Sequence, residues 1–197
     1  MRTLKSNILV LSLLAGFSGA AVAGNGAYLA LDGGQTSVPG FCDGMSTNFR
    51  CDSTATALRV AAGFQINSLL AIEVNYGNYG KLNVSGTYLT VPVTGDTTLT
   101  GTQIAGIVSL PLSDAFALTG KIGVGSFTAK TEAFGPGVKY SSSADNSTMV
   151  YGVGVRLNFS KTLALRAQYE SLGNIKSSSN DTASTVNVTS AGIIFGF

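Results

Sequence analysis

The chain has no histidine and no tryptophan, only two cysteines, and charged residues at just 11% of its 197 positions. Without His there is no ordinary imidazole base, no proton shuttle working near neutral pH, and no copy of the commonest metal ligand. Ser-His-Asp, Cys-His and His-metal chemistry are therefore excluded. Soluble domains carry roughly a quarter of their residues as charges. A charge fraction of 11% beside a mean hydropathy of +0.32 therefore asks for a solvent other than water on part of the surface. Beyond the N-terminus, nothing reaches the run of about 18 apolar residues that a membrane helix needs, so helical spans are not expected.

What is present begins with a leader. Arg2 and Lys5 form a positive start, Ile8 to Leu14 an apolar stretch too short to span, and Ala21-Val22-Ala23 an A-x-A cleavage site. Together these read as a secretory signal peptide over 1–23, followed by one domain over 24–197. Its removal leaves 10 basic against 10 acidic residues, a net charge of zero that gives no support for nucleic-acid binding. Cys42 and Cys51 lie nine apart in a stretch rich in Gly, Ser, Asp and Asn. In an exported, oxidised chain they are expected to form a disulfide that staples a loop.

The mature chain is dominated by a period of two. Leu58, Val60, Ala62, Phe64 and Ile66 alternate with Ala57, Arg59, Ala61, Gly63 and Gln65. After Asn67-Ser68 the pattern restarts, with Leu70, Ile72, Val74 and Tyr76 opposite Ala71, Glu73, Asn75 and Gly77. The same arrangement recurs around Ser113-Asp114 and around Ser160-Lys161. Each reads as a hairpin with a tight two-residue turn. Three hairpins, a first strand near 27–34 and a last near 186–197 make eight strands. The other connections, near 35–55, 80–98, 130–147 and 173–186, are long and polar. Short turns at one end, long polar loops at the other, and runs of about 9–11 residues describe an eight-stranded antiparallel up-and-down transmembrane β-barrel.

Alternation alone also fits a soluble barrel, and the placement of charge separates the two. Arg59, Glu73, Lys121, Arg156, Arg166 and Glu170 fall mid-strand on the polar face among Gly, Ala, Asn and Gln, with Asp32 joining them. Small neighbours suit the crowded lumen of a narrow barrel. The opposite face carries no charge in any of the six clearest strands, as expected where an Arg or Lys at the bilayer midplane costs about 2–4 kcal/mol. Aromatic residues on that oily face form two bands. Phe64, Phe116 and Phe159 lie beside the short turns, with Phe195 and Phe197, while Tyr76, Tyr151 and Tyr169 lie towards the long loops.

The residues also resemble a known family. Gly26-Ala27-Tyr28-Leu29-Ala30-Leu31, Ile72-Glu73-Val74-Asn75-Tyr76-Gly77, the hairpin from Tyr151 to Glu170, and the ending Gly192-Ile193-Ile194-Phe195-Gly196-Phe197 are similar to the OmpA-type eight-stranded barrels of Gram-negative outer membranes. The resemblance covers essentially the whole mature chain. It implies that Ile193, Phe195 and Phe197 act as the signal read by the barrel-assembly machinery, and that the lumenal acids and bases form a network that plugs or gates the interior. Glu73 and Glu170 are expected to pair with some of Arg59, Lys121, Arg156 and Arg166, with Asp32 a further member. No peptidoglycan-binding domain follows the last strand of this sequence, so that role is not carried over.

No phosphate loop or calcium motif is found. Gly123/Gly125 and Gly152/Gly154 lack any GxGxxG or GK[ST] completion, and Asp43, Asp52, Asp96, Asp145, Asn146 and Asp181 lack EF-hand spacing. No metal and no cofactor are expected. The function expected is a non-enzymatic, monomeric outer-membrane scaffold, surrounded by lipid, whose four long loops meet a surface or host ligand. The alternative is a narrow small-solute or ion pore gated by the lumenal charges.

Overall fold

The structure is a computed structural model that describes residues 26–88, 91–135, 138–177 and 180–197. The signal peptide expected over 1–23 lies outside the described residues. The strands are β1 (Ala27–Ser37), β2 (Phe49–Cys51), β3 (Thr54–Gln65), β4 (Leu70–Tyr88), β5 (Val91–Pro111), β6 (Phe116–Gly135), β7 (Val138–Asn158), β8 (Leu163–Ser177) and β9 (Asn180–Gly196). All pairings are antiparallel, and apart from β2 each strand pairs with the next in the chain. Strand β9 returns to β1, from Tyr28↔Gly196 to Ser37↔Asn187, and closes eight strands into a barrel. Closure satisfies the backbone groups that an open sheet would leave bare in lipid. The short β2 is an outlying addition, paired with Val84–Gly86 of β4.

Side-chain parity follows the two solvents. On the outer surface Met149, Ile122 and Val153 are 61%, 59% and 67% exposed, whereas Glu73 inside is fully buried. Water would reverse this arrangement; lipid favours it. Beyond the belt the in-out parity of β6 and β9 is kept, but the polarity of the two faces swaps. On β6, Ile122 and Val124 point out and Lys121 points in, but further along Phe127 and Ala129 point in while Thr128 is exposed. Strand β9 does the same, with Ile193 outside at the belt and Val186 and Val188 buried above it.

The three short turns are longer than the two-residue links expected. Four residues separate the strands at 66–69, 112–115 and 159–162. The reason is a shared polar cap. The amides of Leu69 and Leu70 donate to Asn67 Oδ1 at 2.8 Å, Phe116 N donates to Ser113 Oγ at 3.1 Å, and Leu163 N donates to Ser160 Oγ at 3.0 Å. A side chain that occupies turn amides replaces the tighter backbone turn.

Three of the four connections expected as long loops are mainly strand. The β4–β5 ladder runs out to Tyr88↔Val91 and the β6–β7 ladder to Gly135↔Val138, while β8 and β9 pair out to Ser177↔Asn180. Among the described residues the connection at 38–53 is the mainly irregular one, with the short β2 inside it, and there Cys42 and Cys51 are disulfide-bonded with their Cα atoms 5.8 Å apart. The Thr-rich composition of these segments suits a pleated surface, and once no face meets lipid the outward positions become polar. Two glycines with positive φ, Gly80 (92°) and Gly173 (74°), sit at the register shifts between Asn78 and Lys81 and between Ser171 and Asn174. These bulges re-aim β4 and β8 as they leave the belt.

A charge placed on the outer face tests the orientation of the belt. Val153→Arg is expected to lower the unfolding free energy by about 2–4 kcal/mol, measured by urea titration in lipid vesicles. An unchanged midpoint would mean that Val153 does not meet lipid.

Candidate functional site

The lumen is built in layers. Towards the short turns Tyr28, Ala30, Ala61, Ala71, Ile107, Ala164 and Ile194 form a small apolar cluster. Towards the hairpins a larger one contains Tyr79, Leu82, Leu99, Phe127, Leu172 and Val186, with the Tyr79 and Phe127 rings edge to face at 5.6 Å. The charged side chains lie between them, at the height of the lipid-facing belt.

These charges form a closed cycle of alternating sign. Arg166 grips Asp32 with two bonds, Nε to Oδ1 at 2.7 Å and Nη2 to Oδ2 at 2.6 Å. Asp32 accepts from Arg59 Nε at 3.0 Å, and Arg59 Nη1 reaches across to Glu170. Glu170 accepts from Lys121 Nζ at 2.7 Å, and Lys121 lies 3.6 Å from Glu73 Oε1, an ion-pair contact rather than a hydrogen bond. Glu73 Oε2 accepts from Arg166 Nη1, which completes the ring. Every member is at most 6% exposed, and each acid has a base on either side. Matching of this kind is required, because a buried charge without a partner is strongly destabilising.

The ring joins β1, β3, β4, β6 and β8, and three glycines make its reach feasible. Gly192 lies between Asp32 and Arg166 in register, Gly152 between Lys121 and Glu170, and Gly63 between Tyr28 and Glu73, to which the Tyr28 hydroxyl donates at 3.1 Å. In each case two polar side chains meet over the intervening strand. A Cβ at 192 would stand 2.1 Å from Asp32 Oδ1, and one at 63 would stand 2.1 Å from the Tyr28 ring.

Six of the seven charges singled out in the sequence therefore come together: Asp32, Arg59, Glu73, Lys121, Arg166 and Glu170. Arg156 stands apart, nearer the short turns, bonded to Asn158 Oδ1 at 2.7 Å and Gln65 Oε1 at 3.1 Å. Sequence reasoning did not assign Tyr28, Gln168 or Ser190 to the network, although the last two accept from Arg59 Nη2 at 2.8 and 3.3 Å. Their signal was parity, since each shares the inward face with a ring residue on its own strand or the next. Among the girdle residues Phe64, Tyr76, Tyr151, Phe159 and Tyr169 are exposed on the outer surface and Phe116 is half-buried. Ile193 and Phe195, on the last strand, and Phe197, just past its end, are also exposed.

Removing one base leaves two acids facing a single partner each. Arg166→Met is expected to cost about 3–5 kcal/mol in unfolding free energy, read by urea titration in vesicles. Adding Asp32→Asn should recover part of that loss. A single variant as stable as the parent would show that the ring does not hold the barrel.

A family profile, OmpA-like transmembrane domain, matches residues 22–197. No curated protein matches the chain by sequence. Among solved structures it is similar to Ail, the attachment invasion locus protein of Yersinia pestis, at 17% identity and a TM-score of 0.58, covering 89% of this chain and 100% of that one. It is also similar to the outer membrane protein OprG of Pseudomonas aeruginosa, at 14% identity and a TM-score of 0.56, covering 88% and 97%. At these identities the likeness speaks for the fold, which is the same closed barrel. The match to the family spans every described strand, and the chain belongs to the OmpA-like transmembrane domain family as an integral β-barrel of the Gram-negative outer membrane.

Proposed function

We propose that the chain is a non-enzymatic scaffold that works at the cell surface, holding ordered hairpins beyond the outer membrane for contact with a partner protein. The observation that carries this reading is the continuation of the β4–β5 and β6–β7 ladders well past the lipid-facing belt. A hairpin whose backbone bonds are already made loses little entropy on binding. The β6–β7 hairpin also bears Phe134 and Tyr140 near its tip, 39% and 51% exposed. Exposed aromatics of this kind are the usual anchors of protein interfaces.

The nature of the partner follows from charge. Ail has been solved with the heparin analogue sucrose octasulfate. In this chain the described residues beyond the belt include Arg50, Lys81, Lys130, Lys139 and Lys176 against Asp43, Asp52, Asp96, Glu132 and Asp145. Lys81 pairs with Asp96 and Lys130 with Glu132, each at 2.8 Å. A surface so balanced has no field to collect a polyanion, which favours a protein surface over a sulfated glycan. The absence of His from the sequence supports the non-enzymatic reading.

The pore reading is disfavoured by the ring, which crosses a lumen that eight strands leave just wide enough for side chains. On this proposal the barrel is a monomer, and Ile193, Phe195 and Phe197 serve the assembly machinery on the way to the membrane.

Two measurements test it. Shortening the β6–β7 hairpin at the Glu132↔Ser141 pair is expected to reduce attachment of expressing bacteria to host cells by about tenfold or more while the barrel still folds. In planar bilayers the parent protein should be silent. Stable, reproducible channels, with attachment unaffected by the shortening, would replace this reading with the pore.

A further inference from the structure

Above the ring the lumen is not completely filled. A cavity of about 430 Å³ opens towards the hairpin end, walled by Val38, Leu82, Leu99, Ile175 and Val186. Phe41, from the segment that carries the Cys42–Cys51 disulfide, also borders it and packs against the same cluster. This volume lies in the lower part of the range for small-molecule sites, about 300–1,000 Å³.

One polar atom in this apolar chamber is out of place. Thr36 borders the cavity and is 2% exposed, yet its hydroxyl has no hydrogen-bond partner among the described residues. Buried hydroxyls are almost always satisfied, so this one lacks a bond that the oxygen of an occupant seated against Thr36 would supply. The walls also restrict charge. Among the described residues no Lys or Arg borders the cavity, whereas Asp43 and Asp96 do, and Asp96 is already paired with Lys81. An anion would find no counter-charge and would meet Asp43, while a strongly cationic group would have to leave water for an apolar wall.

We propose that this chamber is a binding site for a small neutral amphiphile: an aliphatic or aromatic body bearing one carbonyl or hydroxyl oxygen, which accepts the hydrogen bond of Thr36. The apolar body replaces water against Leu82, Leu99 and Ile175, and the single oxygen satisfies the orphan hydroxyl. Below the chamber the charge ring closes the lumen, so the site retains its ligand on the outer side.

The test uses the full mature barrel in lipid nanodiscs with labelled Ile, Leu and Val methyl groups, titrated with 2-decanone. Decane and decanoate serve as comparators. Because all three enter lipid, the readout is saturable shifting of the Leu82, Leu99, Ile175 and Val186 methyls relative to the outward-facing Ile122 and Val153. The chamber methyls are expected to saturate with 2-decanone, more tightly than with decanoate. Thr36→Val should weaken 2-decanone by about three- to tenfold and leave decane unchanged. Leu99→Trp, which fills the cavity, should abolish the chamber shifts, and heat-modifiable gel mobility reports folding of each variant. Shifts confined to the outward-facing methyls, tighter binding of decanoate, or chamber shifts that persist in a folded Leu99→Trp protein would overturn the proposal. Should either variant fail to fold, the other decides together with the order of the three probes.

Discussion

The alternating ring of Asp32, Arg59, Glu170, Lys121, Glu73 and Arg166 is the constraint on which the rest of the barrel depends. An eight-stranded barrel in lipid has its apolar residues committed to the outside, so the lumen must be filled by what remains. Charges in so narrow a space are desolvated and destabilise the fold unless each has partners. Three acids and three bases in a cycle meet that requirement, and guanidinium forks give it directionality. The ring also fixes strand register. Asp32, Gly192 and Arg166 must stand side by side on β1, β9 and β8, and a slip of one residue on any of them would turn its side chain towards lipid.

This interior explains why the sequence is at once poor in charge and rich in glycine. Glycine is not merely small filler here. At 63, 152 and 192 it sits on the strand between two polar partners, and the contact passes over its missing Cβ. The same side chains occupy the lumen at the height of the belt.

Much of the fold was legible in the sequence because lipid imposes a strict period of two: Leu58, Val60, Ile72, Val74, Ile122, Val124, Val153 and Val155 announce the belt without help from tertiary contacts. Mid-strand charges such as Glu73 and Arg166 announced a lumen, since no other surface of a membrane barrel would take them. Which of them touch was not legible. Pairing depends on strand tilt and on side-chain length, and these leave Arg156 with Gln65 and Asn158 while bringing Asp32 to the centre. The strand extensions were hidden for a different reason. Segments such as Thr94 to Thr102 keep their backbone ladder but lose the apolar outer face that marks a strand. The bulges at Gly80 and Gly173 add to this by breaking the count of two.

The swap of polarity between the two faces also accounts for the apolar lining of the chamber. Once β4, β5, β6 and β9 leave the bilayer, their outer faces meet water, and the apolar residues there, Leu82, Leu99, Phe127 and Val186, occupy the inward positions that polar side chains hold within the belt. Within the belt, the lumen is polar because lipid holds the apolar residues; above it, the lumen is apolar because water holds the polar ones. The ring marks the boundary between these two regimes. A barrel of constant strand number does not narrow at that boundary, whereas its side chains pass from long, interlocked Arg and Glu to shorter aliphatic groups that reach less far across. One unfilled volume, of about 440 Å³, opens at the short-turn end beside Arg156, and another lies above the ring, with the disulfide-held segment and Phe41 against it. The space is thus a physical consequence of changing solvent along a continuous strand, and its apolar lining with one unsatisfied hydroxyl is what that change leaves behind.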